Sequence, residues 1–209
     1  MSIKDLNNTN IYKMDYEDLV FEPLKEDFIK ILYKDKIFKI TTPTLRCPFG
    51  IKEFKYNKED LLPRYSFSLS LDKINIDERN KKFYEFIKEF ENSIYKFVKS
   101  KKEIYYQDLH KKKFPKTFSS KIYEKVGYSP LFNLDLKSDT KIYLSSEEEI
   151  SYEDLLKKNL NNFYTSCEII CNGIWINDKK FGISWKVSKL FIKDIEKDDN
   201  EEKYINLVF

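Results

Sequence analysis

Lysines and aromatic rings alternate between residues 110 and 128 of this 209-residue chain. The segment has one acidic residue, Glu124, against Lys111, Lys112, Lys113, Lys116, Lys121 and Lys125, with the rings of Phe114, Phe118, Tyr123 and Tyr128 between the lysines. Lysines at this density neutralise phosphates, and interleaved rings offer faces on which unpaired bases stack. The pattern predicts a sequence-tolerant site for a single strand of nucleic acid. The alternative is a solvated lysine-rich loop whose rings turn inward.

The last sixteen residues, 194–209, carry the opposite charge, with six carboxylates and two lysines. The rest of the chain has 36 basic and 29 acidic residues, a net charge of +7 against +3 for the whole. This separation is typical of a phosphate-binding surface with a built-in acidic competitor. The tip from Tyr204 to Phe209 is apolar, which indicates that it docks on the body or on a partner. A solvated terminus of no consequence is the alternative.

Most enzyme classes lack a candidate site in this sequence. With only 4 glycines there is no GxGxxG, GxxxxGK[ST] or GxSxG pattern, so phosphate-cradling loops and nucleophile elbows are missing. Acidic clusters at residues 15–18 and 147–149 fall on predicted loops without a nearby histidine. We therefore expect no catalysis. No apolar run reaches membrane-spanning length and no export signal is apparent, so we expect a soluble intracellular protein that does not bind membranes.

The three cysteines, Cys47, Cys167 and Cys171, fit a reducing compartment. Together with His110, the single histidine, they could in principle form a zinc site. Their spacing lacks the paired C-x-x-C pattern of structural zinc sites, so small buried side chains on strands are favoured. We expect no metal and no cofactor.

Periodicity predicts a mainly β chain with one long helix. Residues 28–40 predict two strands joined by a turn at residues 34–36, and residues 42–51, with two prolines and a glycine, predict an edge strand or shaped connection. Residues 64–72 alternate between polar and apolar side chains, as in a half-buried strand. Apolar residues three and four apart over 78–100 predict an amphipathic helix of about six turns.

The C-terminal half ends in a predicted long hairpin over residues 165–193, with a turn at 177–180. Its apolar parity changes near Lys189, as a β-bulge would produce. A second, short helix is predicted after Ser151, which has a capping partner in Asp154. Short strands without a βαβ rhythm favour a small Greek-key barrel. The predicted organisation is an arm over 1–20, one barrel domain over 21–193 and a tail over 194–209.

Four segments in this order carry a family resemblance. They are Thr-Pro-Thr-Leu-Arg-Cys-Pro-Phe-Gly-Ile at 42–51, residues 65–72 with Leu-Ser-Leu, Pro-Lys-Thr-Phe at 115–118, and Gly-Ile-Trp at 173–175 followed by Phe-Gly-Ile-Ser-Trp-Lys-Val at 181–187. The chain resembles the single-stranded-DNA-binding proteins of nucleocytoplasmic large DNA viruses. Those are similar to phage proteins that combine one OB-fold with an acidic C-terminal tail ending in Phe. The hairpin with two tryptophans is the most specific part, whereas Lys116-Thr117 departs from the proline and threonine expected there.

The resemblance implies a single OB-fold with a long helix inserted between strands, a basic aromatic groove for single-stranded DNA, and a tail that binds replication proteins. Residues flanking the early strands, the basic segment and the hairpin are the predicted DNA-binding residues: Arg46, Lys52, Lys55, Arg64, Lys111, Lys112, Lys113, Phe114, Lys116, Lys121, Tyr123, Lys125, Trp175, Trp185 and Lys186. For the two tryptophans, partly buried core positions are the alternative. The predicted partner-binding residues are Asp198, Asp199, Glu201, Glu202 and Phe209.

The leading interpretation is a non-enzymatic protein that protects unwound DNA during viral replication, recombination or repair. Its expected partners are single-stranded DNA and, through the tail, a polymerase or helicase, and a homodimer is a further expectation. The expected location is the infected cell, at cytoplasmic viral replication sites, and the virion. The alternative is an OB-type polymerase accessory, scaffold or RNA-binding protein. Phosphate binding gives a steep fall of affinity with salt, and a mainly apolar protein interface does not.

Deletion of residues 194–209 tests the competitor role of the tail, because it removes a net charge of −4. We expect the truncated protein to bind oligo-dT more tightly than the full chain. The gain should shrink between about 0.01 M and 0.1 M salt, as the Debye length falls from about 30 Å to about 10 Å. Fluorescence anisotropy at several salt concentrations measures both effects. Equal affinities at low salt would contradict the competitor model.

Overall fold

A computed structural model describes residues 14–54, 64–72, 74–101, 115–144, 148–158 and 160–193. A short 3-10 turn, Tyr16–Asp18, precedes thirteen described strands, β1 Leu19–Phe21, β2 Phe28–Tyr33, β3 Lys36–Thr41, β4 Leu45–Cys47, β5 Ile51–Phe54, β6 Arg64–Ser70, β7 Thr117–Ser119, β8 Ile122–Tyr123, β9 Leu131–Leu136, β10 Lys141–Tyr143, β11 Glu149–Ile150, β12 Phe163–Ile176 and β13 Lys180–Lys193. Two helices are interspersed, α1 Glu78–Ser100 and α2 Tyr152–Lys157. The predicted mainly β fold with one long helix is confirmed. β1 crosses the predicted boundary between arm and barrel at residue 20.

Strands β12 and β13 form the long hairpin that organises the sheet. Both are 14 residues long, and they pair from Tyr164 with Lys193 to Ile176 with Phe181. The register shifts twice, because Ser188 is an extra residue on β13 and Asn172 is an extra residue on β12. The bulge predicted near Lys189 is therefore confirmed. Each bulge bends its strand and reverses which face the following side chains occupy.

Five strands, two of which are β12 and β13, close into a barrel. β12 pairs with β4, β4 with β6, β6 with β9, and β9 with β13, which returns to β12. The β9–β13 contact is parallel, through Asp135 and Lys186, and the other four contacts are antiparallel. This closure is the OB-type Greek-key barrel that the sequence predicts.

Strand β9 is the barrel strand that the sequence analysis missed. Phe132, Leu134 and Leu136 are buried and alternate with half-buried residues, in the pattern that marks a strand with one face in the core. The signal was therefore present in the sequence. The place of β9 in the middle of the barrel follows only from its pairing with β6 and β13.

The N-terminal hairpin β2–β3 opens into a fork on one side of the barrel. Its turn residues Lys34 and Asp35 have φ values of 50° and 58°, as a two-residue type I′ turn requires. The two strands pair only next to this turn and then separate. β3 continues along the middle of β12, and β2 pairs with the end of β12, on the other side of the bulge at Asn172.

Helix α1 packs against the barrel core through its apolar stripe. Asp77 caps its N-terminus by accepting hydrogen bonds from the backbone N–H groups of Arg79 and Asn80 at 2.8 and 3.2 Å. The buried face of the helix is formed by Phe83, Phe86, Ile87, Phe90, Ile94 and Val98. Its rings meet side chains that point into the barrel, with Phe90 lying 5.4 Å from both Phe38 and Trp185 between ring centroids.

All three cysteines are free thiols in the core. Burial raises the pKa of Cys47 to about 12 and shifts the pKa values of Cys167 and Cys171 upward as well. A thiol that stays protonated is a poor metal ligand and a poor nucleophile. The cysteines act as small apolar side chains in this structure, which is the favoured interpretation of the sequence.

Gly173 lies where β2 and β12 approach each other, and a substitution there tests how close the approach is. Its φ is +145°, and a Cβ there would lie 2.1 Å from the carbonyl oxygen of Ile29. We expect Gly173→Ala to lower the free energy of unfolding by about 3 kcal/mol or more, because backbone strain and overpacking each cost about 1–3 kcal/mol. Urea unfolding measures the loss. Gly127→Ala is the matched control, since Gly127 has φ +83° but a Cβ there would meet no atom within 4 Å. An equal loss in both variants would show that the contact with Ile29 is unimportant.

Candidate nucleic-acid interface

The outer face of the barrel carries a row of polar side chains across four strands. Lys52 on β5 lies opposite Ser66 on β6, Ser66 lies opposite Asp135 on β9, and Asp135 lies opposite Lys186 on β13. Directly paired residues project to the same side of a sheet, so these four side chains share the outer face. The inward neighbours on β6 and β9, such as Phe67 and Leu134, are buried in the core.

A second row runs parallel to the first at the other end of β6. Arg46 on β4 lies opposite Ser70, Ser70 opposite Leu131, and Leu131 opposite Tyr123 on β8. Arg46 also lies opposite Tyr164 on β12. This row brings an arginine and two tyrosine rings to the same outer face. We call the two rows, together with Arg64 at the start of β6 and Lys121, which pairs with Asp135, the outer face.

Arg46 has an unusual environment. Its Nε atom is buried and has no hydrogen-bond acceptor among the described residues. The nearest carboxylate oxygen, Asp72 Oδ2, lies 3.6 Å away, at ion-pair but not hydrogen-bond distance. The Arg46 side chain as a whole is 35% exposed, so guanidinium N–H groups other than Nε can donate a charge-assisted hydrogen bond to a phosphate oxygen.

Exposed rings on the outer face and its neighbouring loop are paired with lysines. The Nζ atom of Lys52 lies 5.0 Å from the ring centroid of Phe49, which is 50% exposed. The Nζ atom of Lys125 lies 4.8 Å from the ring centroid of Tyr128 in the loop after β8. Such cation–π pairs hold a ring and a positive charge side by side at the surface. This combination suits a base and its adjacent phosphate.

Carboxylates pair with several cations of the outer face. Lys121 Nζ lies 3.2 Å from Asp135 Oδ2, and Lys186 bonds Asp139. The hydrogen bond from Lys186 holds the pKa of the Asp139 carboxyl below its usual value. These pairs are partly exposed, so each contributes little to stability and can be exchanged for other ionic contacts.

Helix α1 positions the segment that carries Lys121 and Tyr123. The buried Glu91 carboxylate accepts hydrogen bonds from Ser120 Oγ at 2.5 Å and from the backbone N–H of Lys121 at 2.7 Å. Burial raises the pKa of Glu91, although these two hydrogen bonds oppose the shift. One turn earlier in the helix, Lys88 donates to Glu124 at 2.7 Å and Tyr84 also bonds Glu124. The hydrogen bond from Lys88 and then that from Tyr84 lower the pKa of Glu124.

The outer face brings together six of the predicted DNA-binding residues, namely Arg46, Lys52, Arg64, Lys121, Tyr123 and Lys186. Lys125 is exposed in the adjacent loop, whereas Lys116 is exposed immediately before β7, near the β12–β13 turn. Trp175 projects outward from β12, opposite Phe28 and Gly182, and is half-buried. Lys55, Lys111, Lys112, Lys113 and Phe114, and all the predicted tail residues, lie outside the described residues.

The assignment of Trp185 as a base-stacking residue is wrong for this structure. Its side chain is 2% exposed and packs between Phe38 and Phe90, with ring centroids 6.0 and 5.4 Å away. The physical reason is strand parity, because Trp185 occupies an inward position of β13 between the buried residues Ile183 and Val187. Trp185 therefore belongs to the core.

Sequence reasoning missed Phe49 and Tyr164 as outer-face rings. Phe49 lies in the Pro-Phe-Gly turn between β4 and β5, and such a turn exposes its central residue. That signal was available in the sequence. Tyr164 could be placed beside Arg46 only from the pairing of β4 with β12, which connects residues more than a hundred positions apart.

The described part of the chain shows neither a metal cluster nor a membrane-spanning helix. Among those residues, no group of three or more His, Cys, Asp and Glu side chains is arranged to hold a metal ion. No helix within the described ranges is long and apolar enough to cross a membrane.

Comparison with solved structures identifies similar folds. A single-stranded DNA-binding protein from bacteriophage Enc34, solved in complex with ssDNA, is similar over 87% of this chain and 98% of its own, with 16% identity and a TM-score of 0.52. The single-stranded DNA-binding protein gp2.5 encoded by bacteriophage T7 is similar over 78% of this chain and 96% of its own, with 8% identity and a TM-score of 0.50. No family model and no curated protein sequence matches the chain. At these identities the similarity establishes the barrel fold.

The burial of Trp185 generates a stability prediction. We expect Trp185→Ala to lower the free energy of unfolding by about 3–5 kcal/mol, the usual cost of truncating a buried aromatic ring. Trp175→Ala should cost less, because its side chain is partly exposed. Urea unfolding followed by circular dichroism compares the two variants. If Trp185→Ala has the same free energy of unfolding as the unmodified protein, the ring is not part of the core.

Proposed function

We propose that this protein binds single-stranded DNA without sequence preference, and that the outer face is its binding surface. The observation that carries the proposal is the cross-strand arrangement of Arg46, Lys52, Lys121 and Lys186 beside exposed rings on one face of the barrel. The strands that correspond to β6 and β9, together with the adjoining loops, bind oligonucleotides in OB-folds. The similar phage proteins are described as single-stranded-DNA-binding proteins, which supports the same ligand here.

The proposed contacts divide into two kinds. Lysine and arginine side chains neutralise phosphates, which supplies affinity without reading sequence. Phe49, Tyr123 and Tyr128 offer ring faces, and every base has a face that stacks on them. Duplex DNA keeps its base faces stacked inside the helix. The rings therefore provide the preference for single strands that the charges alone cannot provide.

The viral context, the tail and the location follow from the sequence resemblance. In the proposed function the protein has no enzymatic activity and protects unwound DNA during viral replication, recombination or repair. The C-terminal residues Asp198, Asp199, Glu201, Glu202 and Phe209 bind replication proteins such as a polymerase or helicase. The protein is placed at cytoplasmic replication sites of the infected cell and in the virion, and a homodimer is its proposed assembly.

Removal of two outer-face cations tests the binding surface. We expect Lys52→Ala combined with Arg64→Ala to weaken binding to every oligo-dT length. The slope of log affinity against log salt should flatten by about 1.4, at about 0.7 for each lost phosphate contact with a single strand. Anisotropy titrations with labelled oligo-dT at four salt concentrations measure the slope.

The matched control is Lys81→Ala combined with Lys96→Ala, which removes the same charge from exposed positions of α1. The control should leave the slope unchanged. If both double variants flatten it equally, DNA responds only to net charge and the outer face is not the site. Tighter binding to oligo-U than to oligo-dT would favour the RNA-binding alternative, because the 2′-OH distinguishes the two polymers.

A further inference from the structure

An apolar groove of about 590 Å³ lies on the outside of the barrel, in the fork between β2 and β3. The strands separate because β3 pairs with the middle of β12, whereas β2 pairs with its end, and the extra residue Asn172 lies between the two pairings. The outward side chains Phe28, Leu32, Ile37 and Ile170 line the fork. Ile37 is 63% exposed. Apolar side chains on the outer face of a sheet are unusual unless something covers them.

The groove lies at the end of the row of side chains that crosses the outer face. Lys186, which closes the row from Lys52, also lines the groove. The row continues from Lys186 to Ile170 and Lys39 through direct strand pairing. Five strand spacings separate Lys52 from Lys39, a path of about 24 Å at about 4.8 Å for each spacing. The groove is therefore continuous with the proposed binding surface.

The rim of the groove is basic. Among the described lining residues, Lys25, Lys30 and Lys186 face one carboxylate, Glu22, which lies 2.9 Å from Lys30 Nζ, and Lys186 is also paired with Asp139 outside the groove. The side chains of this pair are 50% and 34% exposed, so the pair contributes little and a phosphate can replace Glu22. An apolar floor with cations around it suits an unstacked base attached to a charged backbone.

Trp175 lies beside the Phe28 end of the groove without being one of its lining residues, and its ring packs over Gly182. It lies directly opposite Phe28, and its side chain projects outward because the bulge at Asn172 reverses the parity of β12. Trp175 belongs to neither row of the outer face, and its side chain is partly exposed. Its position opposite Phe28 lets its fluorescence report on a base that reaches that end of the groove. Bases held outside a helix stack on aromatic and other apolar side chains.

We infer that the fork groove is a second subsite for the same DNA strand, which receives one or more unstacked bases after the strand has crossed the outer face and passed Lys186. The inference rests on the proposed function, since the strand must first occupy the outer face. It predicts that binding has two parts that differ in the oligonucleotide length they need. A short oligonucleotide fills the outer face, and only a longer one reaches the fork.

Ile37→Asp tests the subsite without removing core packing, because Ile37 is 63% exposed. The matched control is Ile76→Asp, which adds the same charge at a position that is 82% exposed and does not line the groove. Oligo-dT of about 6 and about 16 nucleotides spans the range that one OB-fold covers. We expect Ile37→Asp to weaken binding of the long oligonucleotide about tenfold, within the range for one stacked base, and to leave the short one within twofold. Ile76→Asp should leave both unchanged.

Tryptophan fluorescence gives an independent readout, because the chain has 2 tryptophans and Trp185 is buried. The long oligonucleotide should quench the emission of the unmodified protein and the short one should not. Trp175→Phe should abolish that quenching.

The subsite would be overturned if Ile37→Asp lowered the affinity for both oligonucleotide lengths equally. It would also be overturned if Ile37→Asp and Ile76→Asp changed the affinity for the long oligonucleotide equally. A third result would also overturn the subsite. In this result, Ile37→Asp weakens binding of a synthetic peptide of residues 194–209 to the truncated protein, but the variant binds the short and the long oligonucleotide with the affinities of the unmodified protein. The groove would then hold the acidic tail. If the unmodified protein bound neither oligonucleotide, the proposed function itself would fail, which is a different result from any of these.

Discussion

The structure depends on the pairing of β12 with β13 and on the pairing of both outer edges of that hairpin with other strands. β12 pairs in succession with β4, β3 and β2 along its length, and β13 pairs with β7, β9 and β10. Two strands of 14 residues could serve so many partners only if they bend, since a flat ribbon cannot close a barrel. The two bulges provide the bends. Ser188 is held in place because its hydroxyl donates to Glu168 Oε1 at 2.8 Å.

The same bulges decide which side chains face the core and which face outward. Ahead of Asn172, Ile169 and Cys171 are buried, and beyond it Ile174 and Ile176 are buried, so the inward parity changes from odd to even. Trp175 is turned outward by this change. No such shift intervenes between Ile183 and Val187, and Trp185 stays inside, against the rings of α1. Two tryptophans in one hairpin thus have opposite surroundings for a reason that lies in backbone register.

Local features of the fold were predictable from the sequence, and the contacts between distant segments were not. The period of α1, the turn at Lys34-Asp35 and the bulge near Lys189 are each encoded within a short window, and all are present. Basic and aromatic site residues could likewise be selected by type, but their arrangement into rows depends on the register between distant strands, as for Lys52 and Lys186. The inward position of Trp185 was accessible from the apolar parity of β13. Parity was a better physical guide there than the residue type that the family resemblance emphasised.

Ion pairs within the protein set the conditions under which a polyanion can bind the outer face. Arg46, Lys121 and Lys186 each have a carboxylate nearby, from Asp72, Asp135 and Asp139. A phosphate that binds one of these cations displaces its carboxylate, which must then be solvated. The net binding free energy of each such contact is therefore smaller than that of a contact with an unpaired lysine. The competitor model from the sequence predicts that the acidic residues of 194–209 act in the same direction. In the proposed function, charge supplies affinity for any polyanion, and the exposed rings, which only unpaired bases can reach, supply the preference for single strands.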